Sequence, residues 1–254
     1  MVRQTGLDAV QLDLTPLVRD QAAWGTCVDA LRHAGIRIVS GMMAPIGEDY
    51  SSLESIARTG GVRPDDHWDD NRQLANAMAT LAAEAGIPLV TLHAGFLPES
   101  TDDPERATML DRLRELARAF AARGVNLAFE TGQESASTLI EVLTDLHEPN
   151  VGVNFDPANM ILYATGDPID ALDQLRPWVH QVHIKDAIAT TVPGTWGAEV
   201  PVGHGDVDWN AFFEVVTHCD PPVVCVIERE AGTQRIEDIV KAKTLVETLW
   251  ERAR

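Results

Sequence analysis

The sequence predicts a (β/α) barrel of parallel strands, and three observations lead there. Short β-rich runs alternate with longer helical runs along the chain, the pattern that builds a parallel sheet covered by helices. Polar residues fall late in the last five strand candidates, as they do when several strand ends converge on one mouth. No G-x-G-x-x-G follows any strand, so the usual mark of a doubly wound sheet is missing.

The strand candidates are "AVQLDL" (9–14), "RIVSGMMA" (37–44), "LVTLHAG" (89–95), "NLAFETG" (126–132), "VGVNFDP" (151–157), "VHQVHIKD" (179–186) and "VVCVIERE" (223–230). Asp103-Pro104 opens a helix that runs to Gly124, and Asp167-Pro168 opens another. "DDNRQLANAMATLAAEAG" stops at Gly86, and "RIEDIVKAKTLVETLW" is a closing amphipathic helix. These are seven strands, against the eight of a complete (β/α)8 TIM barrel. "MVRQTGLD" reads as the tail of a helix, so the first strand and most of the first helix are expected to be missing. The two strand edges left unpaired would favour self-association, and a homo-oligomer is expected.

With 254 residues, 45% of them hydrophobic, the chain can bury one large core. No linker or change of composition divides it, so residues 1–254 read as a single domain. "MVRQTGLDAV" lacks the apolar centre of a signal peptide, and no apolar run approaches the ~20 residues of a membrane span. Cys27, Cys219 and Cys225 fit neither a disulfide framework nor a zinc knuckle, which places the chain in a reducing cytoplasm and away from membranes. A formal charge of −19 argues against a nucleic-acid partner, since gripping phosphates requires a basic face.

"VHQVHIKDA" starts as a buried strand yet carries His180, His183, Lys185 and Asp186. Alternation along a strand puts Gln181, His183 and Lys185 on one face and His180 on the other. The same parity groups Thr91 with His93, Ala128 with Glu130, Asn154 with Asp156, and Val226 with Glu228. Glu130, Asp156, His183 and Glu228 together form an oxygen-and-nitrogen set suited to Mn²⁺, Mg²⁺ or Co²⁺. Zinc is a further option, although it more often takes additional His or Cys. His180 reads as structural. A lone buried Glu or His at a strand end is commonly a hydrogen-bonded core residue; four, each late in its own strand, are harder to reach by accident.

The segments "NLAFETGQE", "VGVNFDPANM", "VHQVHIKDA", "PVGHGDVDW" and "VVCVIERE" resemble the sugar phosphate isomerase/epimerase superfamily, the xylose isomerase-like TIM barrels. The resemblance runs from about residue 9 to the C-terminus. It implies metal ligation by Glu130, Asp156, His183 and Glu228, with Glu130 and Glu228 also the catalytic acid/base pair. Many ketose epimerases have a histidine three residues beyond the metal-binding aspartate, where this chain has Asn159; an amide binds a hydroxyl or carbonyl but does not titrate as imidazole does. The superfamily's endonuclease branch needs further histidines and a basic face, neither of which is evident.

Around the metal set, His93 is either a substrate contact or a buried imidazole bonded to backbone. Lys185 binds a substrate oxygen or pairs with a carboxylate. Gln133 and Glu134 read sugar hydroxyls or cap a helix. Asp208 can cap the helix from Trp209, and His204 can overhang the site. Segment 48–68 reads as a long insertion, a lid or an oligomer contact, with His67 and Trp68 its notable side chains. The expected function is a metal-dependent isomerase or epimerase of a small carbohydrate or keto-polyol, with Mn²⁺ the favoured metal. Its chemistry would be proton transfer through a metal-bound enediolate. The alternatives are a metal-dependent dehydratase of a keto-sugar or inosose, and a non-catalytic sugar-binding or assembly subunit.

Overall fold

The structure is a computed structural model that describes residues 2–192 and 194–253. Of the expected N-terminal helix tail, residues Val2–Thr5 form a 3-10 turn, and Met1 lies outside the described residues. In chain order the elements are β1 Ala9–Asp13, α1 Thr15–Arg19, α2 Gln21–Trp24, α3 Cys27–His33, β2 Arg37–Met42, α4 Leu53–Thr59, α5 Asp65–Glu84, β3 Leu89–Leu92, α6 Pro104–Ala121 and β4 Asn126–Glu130. There follow α7 Ala136–Leu146, β5 Val151–Phe155, α8 Pro157–Tyr163, α9 Pro168–Leu175, β6 Val179–Ile184, β7 Asp186–Ile188, β8 Ala198–Val200, α10 Trp209–Val216, β9 Val224–Ile227 and α11 Arg235–Ala253. Among the described residues one seven-stranded sheet runs in the order β1-β2-β3-β4-β5-β6-β9, so every strand expected from the sequence is present.

The chain divides into two compact units. One comprises Asp8–Glu130 and Thr138–Gly152. Here β1, β2, β3 and β4 pair in parallel, each with the next. All four residues of β3 are buried, and Leu74 and Met78 of α5 and Leu113 and Phe120 of α6 lie in the core. The expected insertion holds a helix of its own, α4, whose N-cap Ser52 accepts the Ser55 N–H at 3.0 Å. His67 and Trp68 lie in the first turn of α5, where both are engaged in packing. The Arg112 guanidinium sits over the Trp68 ring, 5.2 Å from its centroid, and Gly47 leaves room for the His67 ring.

The other unit comprises the chain up to Leu7, Thr131–Ser137 and the chain from Val153 onward. In it β6 pairs in parallel with β9 and with the end of β5, while Trp209, Phe212, Phe213 and Trp250 stack edge to face and tilted. Between β6 and α10 stands an antiparallel hairpin, β7–β8, that the sequence pattern does not predict. It is why β6 stops at Ile184 and the chain restarts as β7 at Asp186.

Helix starts follow one device. Asp103, Asp156 and Asp167 each precede a proline, and each accepts N–H groups of the turn it opens. Proline needs no partner for its missing N–H at this position, and the carboxylate satisfies the donors that follow. Asp208 caps α10 in the same way, accepting from Asn210 and Ala211, both at 3.1 Å.

Candidate metal centre

The site begins where β4 ends. Thr131, immediately after Glu130, donates its N–H to the Asn154 carbonyl at 3.1 Å. Its hydroxyl accepts the Asp156 N–H at 2.8 Å and donates to the Asp156 carbonyl at 3.1 Å. Asp156 is fully buried and divides its two oxygens: Oδ1 caps α8 through the Asn159 N–H at 2.9 Å, while Oδ2 faces His183 Nδ1 at 3.4 Å. One oxygen fixes the side chain and the other serves the site.

The β6–β9 register sets His183 opposite Val226 and Ile184 opposite Ile227, and the Glu228 N–H continues the ladder to the Ile184 carbonyl at 3.1 Å. Glu228 Oε2 then lies 3.2 Å from His183 Nδ1 and accepts from Lys185 Nζ at 3.0 Å. Lys185 also donates to Glu230 at 2.7 Å and stands 4.0 Å from Asp156. Of the two readings of this lysine, the structure shows the ion pair. On its far side His183 Nε2 meets the Asn154 side-chain amide at 3.1 Å, and Gln181 donates to Asn154 Oδ1 at 3.1 Å.

Burial pushes the Asp156 carboxyl up, against the pull of Lys185 and His183. Burial opposes the charge on Glu228 as well, but His183 and Lys185 outweigh it and hold that carboxyl below the usual carboxylate range. The two acids therefore differ in proton affinity because Lys185 stands 1 Å nearer to Glu228 than to Asp156.

In the other unit, His93 Nε2 lies 3.6 Å from Glu130 Oε1, and the His93 Nδ1 is buried without a hydrogen-bond partner. Glu48 joins them: burial raises its carboxyl above the ordinary range, opposed by His93, by the Gly61 N–H it accepts at 2.9 Å and by Tyr50. Glu48 sits in a loop outside any strand, where alternation gives no signal.

One donor atom from each of Glu130, Asp156, His183 and Glu228 lies within 4.8 Å of the others. Three carboxylates and one imidazole suit a hard or borderline divalent cation. Asp156 Oδ2 and Glu228 Oε2 converge on the same ring nitrogen, so this donor set fits such an ion.

The remaining candidates divide. Burial raises the Glu134 carboxyl to about 8, and beside it the Gln133 amide has both polar atoms buried without partners. Asn159 is buried against Gly132, whose α-carbon approaches too closely to tolerate a side chain. His180 is outside the donor cluster, with its basicity lowered by burial. His204 is exposed. Sequence reasoning assigns no role to Asn154, Gln181, Glu48, Glu230 or Asp186. Parity does place Asn154 and Gln181 on the same face as the ligand candidates, and that is the available signal.

The chain belongs to the xylose isomerase-like TIM barrel family, whose sequence model matches residues 1–247. A xylose isomerase domain protein from Planctomyces limnophilus has a crystal structure that superposes with a TM-score of 0.92 at 31% identity, covering 99% of this chain and 91% of that one. A xylose isomerase-like TIM barrel protein from Mycobacterium smegmatis, solved in complex with magnesium, shares the fold at 17% identity and a TM-score of 0.74, covering 99% and 86% of the two chains. A 3-dehydroshikimate dehydratase from Bacillus anthracis is 29% identical over 132 residues, which is 46% of this chain and 47% of that protein. The chain thus aligns with about half the length of that curated relative, and with 28% of an uncharacterized Escherichia coli protein, YihM, at 34% identity over 35% of this chain.

Proposed function

We propose that this protein is a divalent-metal-dependent isomerase or epimerase of a small carbohydrate or keto-polyol, with Glu130, Asp156, His183 and Glu228 as ligands and Mn²⁺ or Mg²⁺ as the metal. The observation that carries this reading is the convergence of their donor atoms within 4.8 Å. A divalent cation held there would polarise a ketone oxygen and its neighbouring hydroxyl, lowering the cost of an enediolate.

The chain's own groups supply the rest. Glu130 and Glu228 close two different strands, and one removes the carbon-bound proton while the other returns one. Their surroundings separate their basicities, Glu228 between His183 and Lys185 and Glu130 beside His93. Lys185 orients a substrate oxygen from its position between Glu228 and Glu230. His93, Asn159 and Glu134 contact hydroxyls, and the burial of all three keeps bulk water away.

A second reading, a dehydratase that expels a β-hydroxyl from the same enediolate, is favoured by the dehydratase relative. One experiment addresses both. Protein loaded with Mn²⁺ is incubated with small ketoses and inososes in deuterium oxide, and products are read by mass and NMR. An isomer carrying solvent deuterium at the inverted or newly formed C–H position supports the isomerase or epimerase. Loss of one water supports the dehydratase. Turnover with complete retention of the substrate's own hydrogen in an isomeric product removes the two-glutamate proton transfer.

A further inference from the structure

We propose that Asn154 and Gln181 are positioning residues forming a reversible row of amides, which decides which ring nitrogen of His183 carries the proton. The row runs in one direction in the metal-free protein and in the opposite direction when His183 holds a cation. The second half of this statement rests on the reading of His183 as a ligand; the first does not.

The geometry is a line of three buried side chains. Gln181 Nε2 donates to Asn154 Oδ1 at 3.1 Å, and Asn154 Nδ2 lies 3.1 Å from His183 Nε2. Relative exposures of 1%, 0% and 0% leave no solvent to replace a missing partner. An amide NH₂ only donates, so His183 Nε2 accepts, and a neutral ring then keeps its single N–H on Nδ1. That N–H points at Glu228 Oε2, 3.2 Å away, and Asp156 Oδ2, 3.4 Å away. In the metal-free protein a proton therefore stands where a ligand lone pair is needed.

Holding a cation through Nδ1 requires that lone pair, and the neutral ring must then carry its proton on Nε2. An Nε2–H needs an acceptor, because a buried donor left unpaired costs about 1–3 kcal/mol. Asn154 supplies one by a half turn of its amide that brings Oδ1 to the ring. Its Nδ2 then faces Gln181, which turns in the same way and presents Oε1. The two ends of an amide are nearly equal in size, so the reversal needs no repacking. The proton balance closes within the ring: one leaves Nδ1, one arrives at Nε2, and the imidazole stays neutral. Which nitrogen binds metal is generally set by the hydrogen bond of the other. Here that bond goes to an amide able to serve both states, rather than to a carboxylate that can only accept.

The test reads the tautomer directly. The protein is labelled with ¹⁵N-histidine and two-bond proton–nitrogen spectra are recorded metal-free and with Zn²⁺, a diamagnetic probe. The expected result is His183 protonated on Nδ1 without metal and on Nε2 with it. Asn154→Asp, which offers only acceptors, should place the proton on Nε2 even without metal and retain Zn²⁺ binding. Asn154→Leu should weaken Zn²⁺ about 10–100-fold, the usual effect of losing a hydrogen-bonding partner of a ligand. An Nε2–H on His183 in the metal-free wild type would overturn the proposal, as would unchanged Zn²⁺ affinity in a folded Asn154→Leu protein. If Asn154→Leu does not fold, Gln181→Met decides, since it leaves the Asn154 amide without its fixed neighbour and should yield mixed tautomers. A wild-type protein with the expected metal-free tautomer but no Zn²⁺ binding would sink the metal reading and leave the row standing.

Discussion

The indole N–H of Trp209 donates to Asp186 Oδ2 at 3.0 Å, inside the protein and away from any cation's direct contact. The same carboxylate accepts the N–H groups of Gly203 at 2.8 Å, Gly205 at 3.0 Å, Val207 at 3.3 Å and Ala187 at 3.0 Å. Gly205 packs so closely on it that a side chain there would collide with Oδ1. One acid, next in sequence to Lys185, thus gathers the loop between the hairpin β7–β8 and helix α10.

Asp186→Asn replaces one accepting oxygen by a donating NH₂ that faces N–H groups. Leaving buried donors unpaired costs about 1–3 kcal/mol each. The variant should lose at least that much stability in urea unfolding, and amide exchange should rise first at residues 203–207. Unchanged exchange in that loop would show that Asp186 does not hold it.

Metal content separates the two histidines of β6. His183→Ala removes a ligand, and should weaken Mn²⁺ binding by more than the about 10–100-fold typical of changes behind the ligands. His180→Ala should bind the metal as the wild type does. Elemental analysis after dialysis and calorimetric binding of Mn²⁺ check this; the reverse pattern would mean that the other face of β6 carries the site.

Glu134 gives stability a pH dependence of defined sign. Its carboxyl titrates near 8 in the folded protein, raised by burial from an ordinary value of 4.5. Between these values the folded state holds a proton that the unfolded state has released, so stability falls as pH rises through the window. A tenfold difference in proton affinity between the two states corresponds to about 1.4 kcal/mol, which sets an upper bound of about 5 kcal/mol. Glu134→Gln removes the charged form, and should flatten the decline in urea midpoint between about pH 5 and 8. A variant that declines as steeply as the wild type would exclude Glu134 as the cause.

Glu130→Gln keeps the shape of the side chain and removes a base. General acid–base catalysis contributes about 10²–10⁴-fold, so kcat should fall by at least that order on whichever keto-sugar the wild type turns over. Calorimetry with Mn²⁺ separates this from a weakened metal site: the loss should persist at saturating metal. Full activity in the variant would take the proton-transfer role from Glu130.

How much of this is legible in the sequence depends on period and on chain distance. Strands β1 to β6 and β9 are visible because apolar runs of strand length sit between capped helices, and Asp103-Pro104 and Asp167-Pro168 mark two of the helix starts. The same Asp-Pro signal at 156–157 reads in the sequence only as a ligand, although Asp156 also caps α8. The hairpin β7–β8 escapes a sequence reading because each of its strands has only three residues, too few to show alternation.

Residue type and parity by themselves determined that Glu130, Asp156, His183 and Glu228 belong to one chemical set, because alternation along a strand is fixed by local geometry. Sequence could not decide what stands behind each of them. Asn154 meets His183 across 29 residues of chain, Lys185 reaches Glu230 across 45, and Asp186 takes the Trp209 indole across 23. Such pairings follow from strand register and loop path, which depend on the packing of the whole core. Only the folded chain shows that Lys185 is tied to two carboxylates, that Asp156 splits its oxygens between a helix and the site, and that an amide rather than an acid holds the far side of His183.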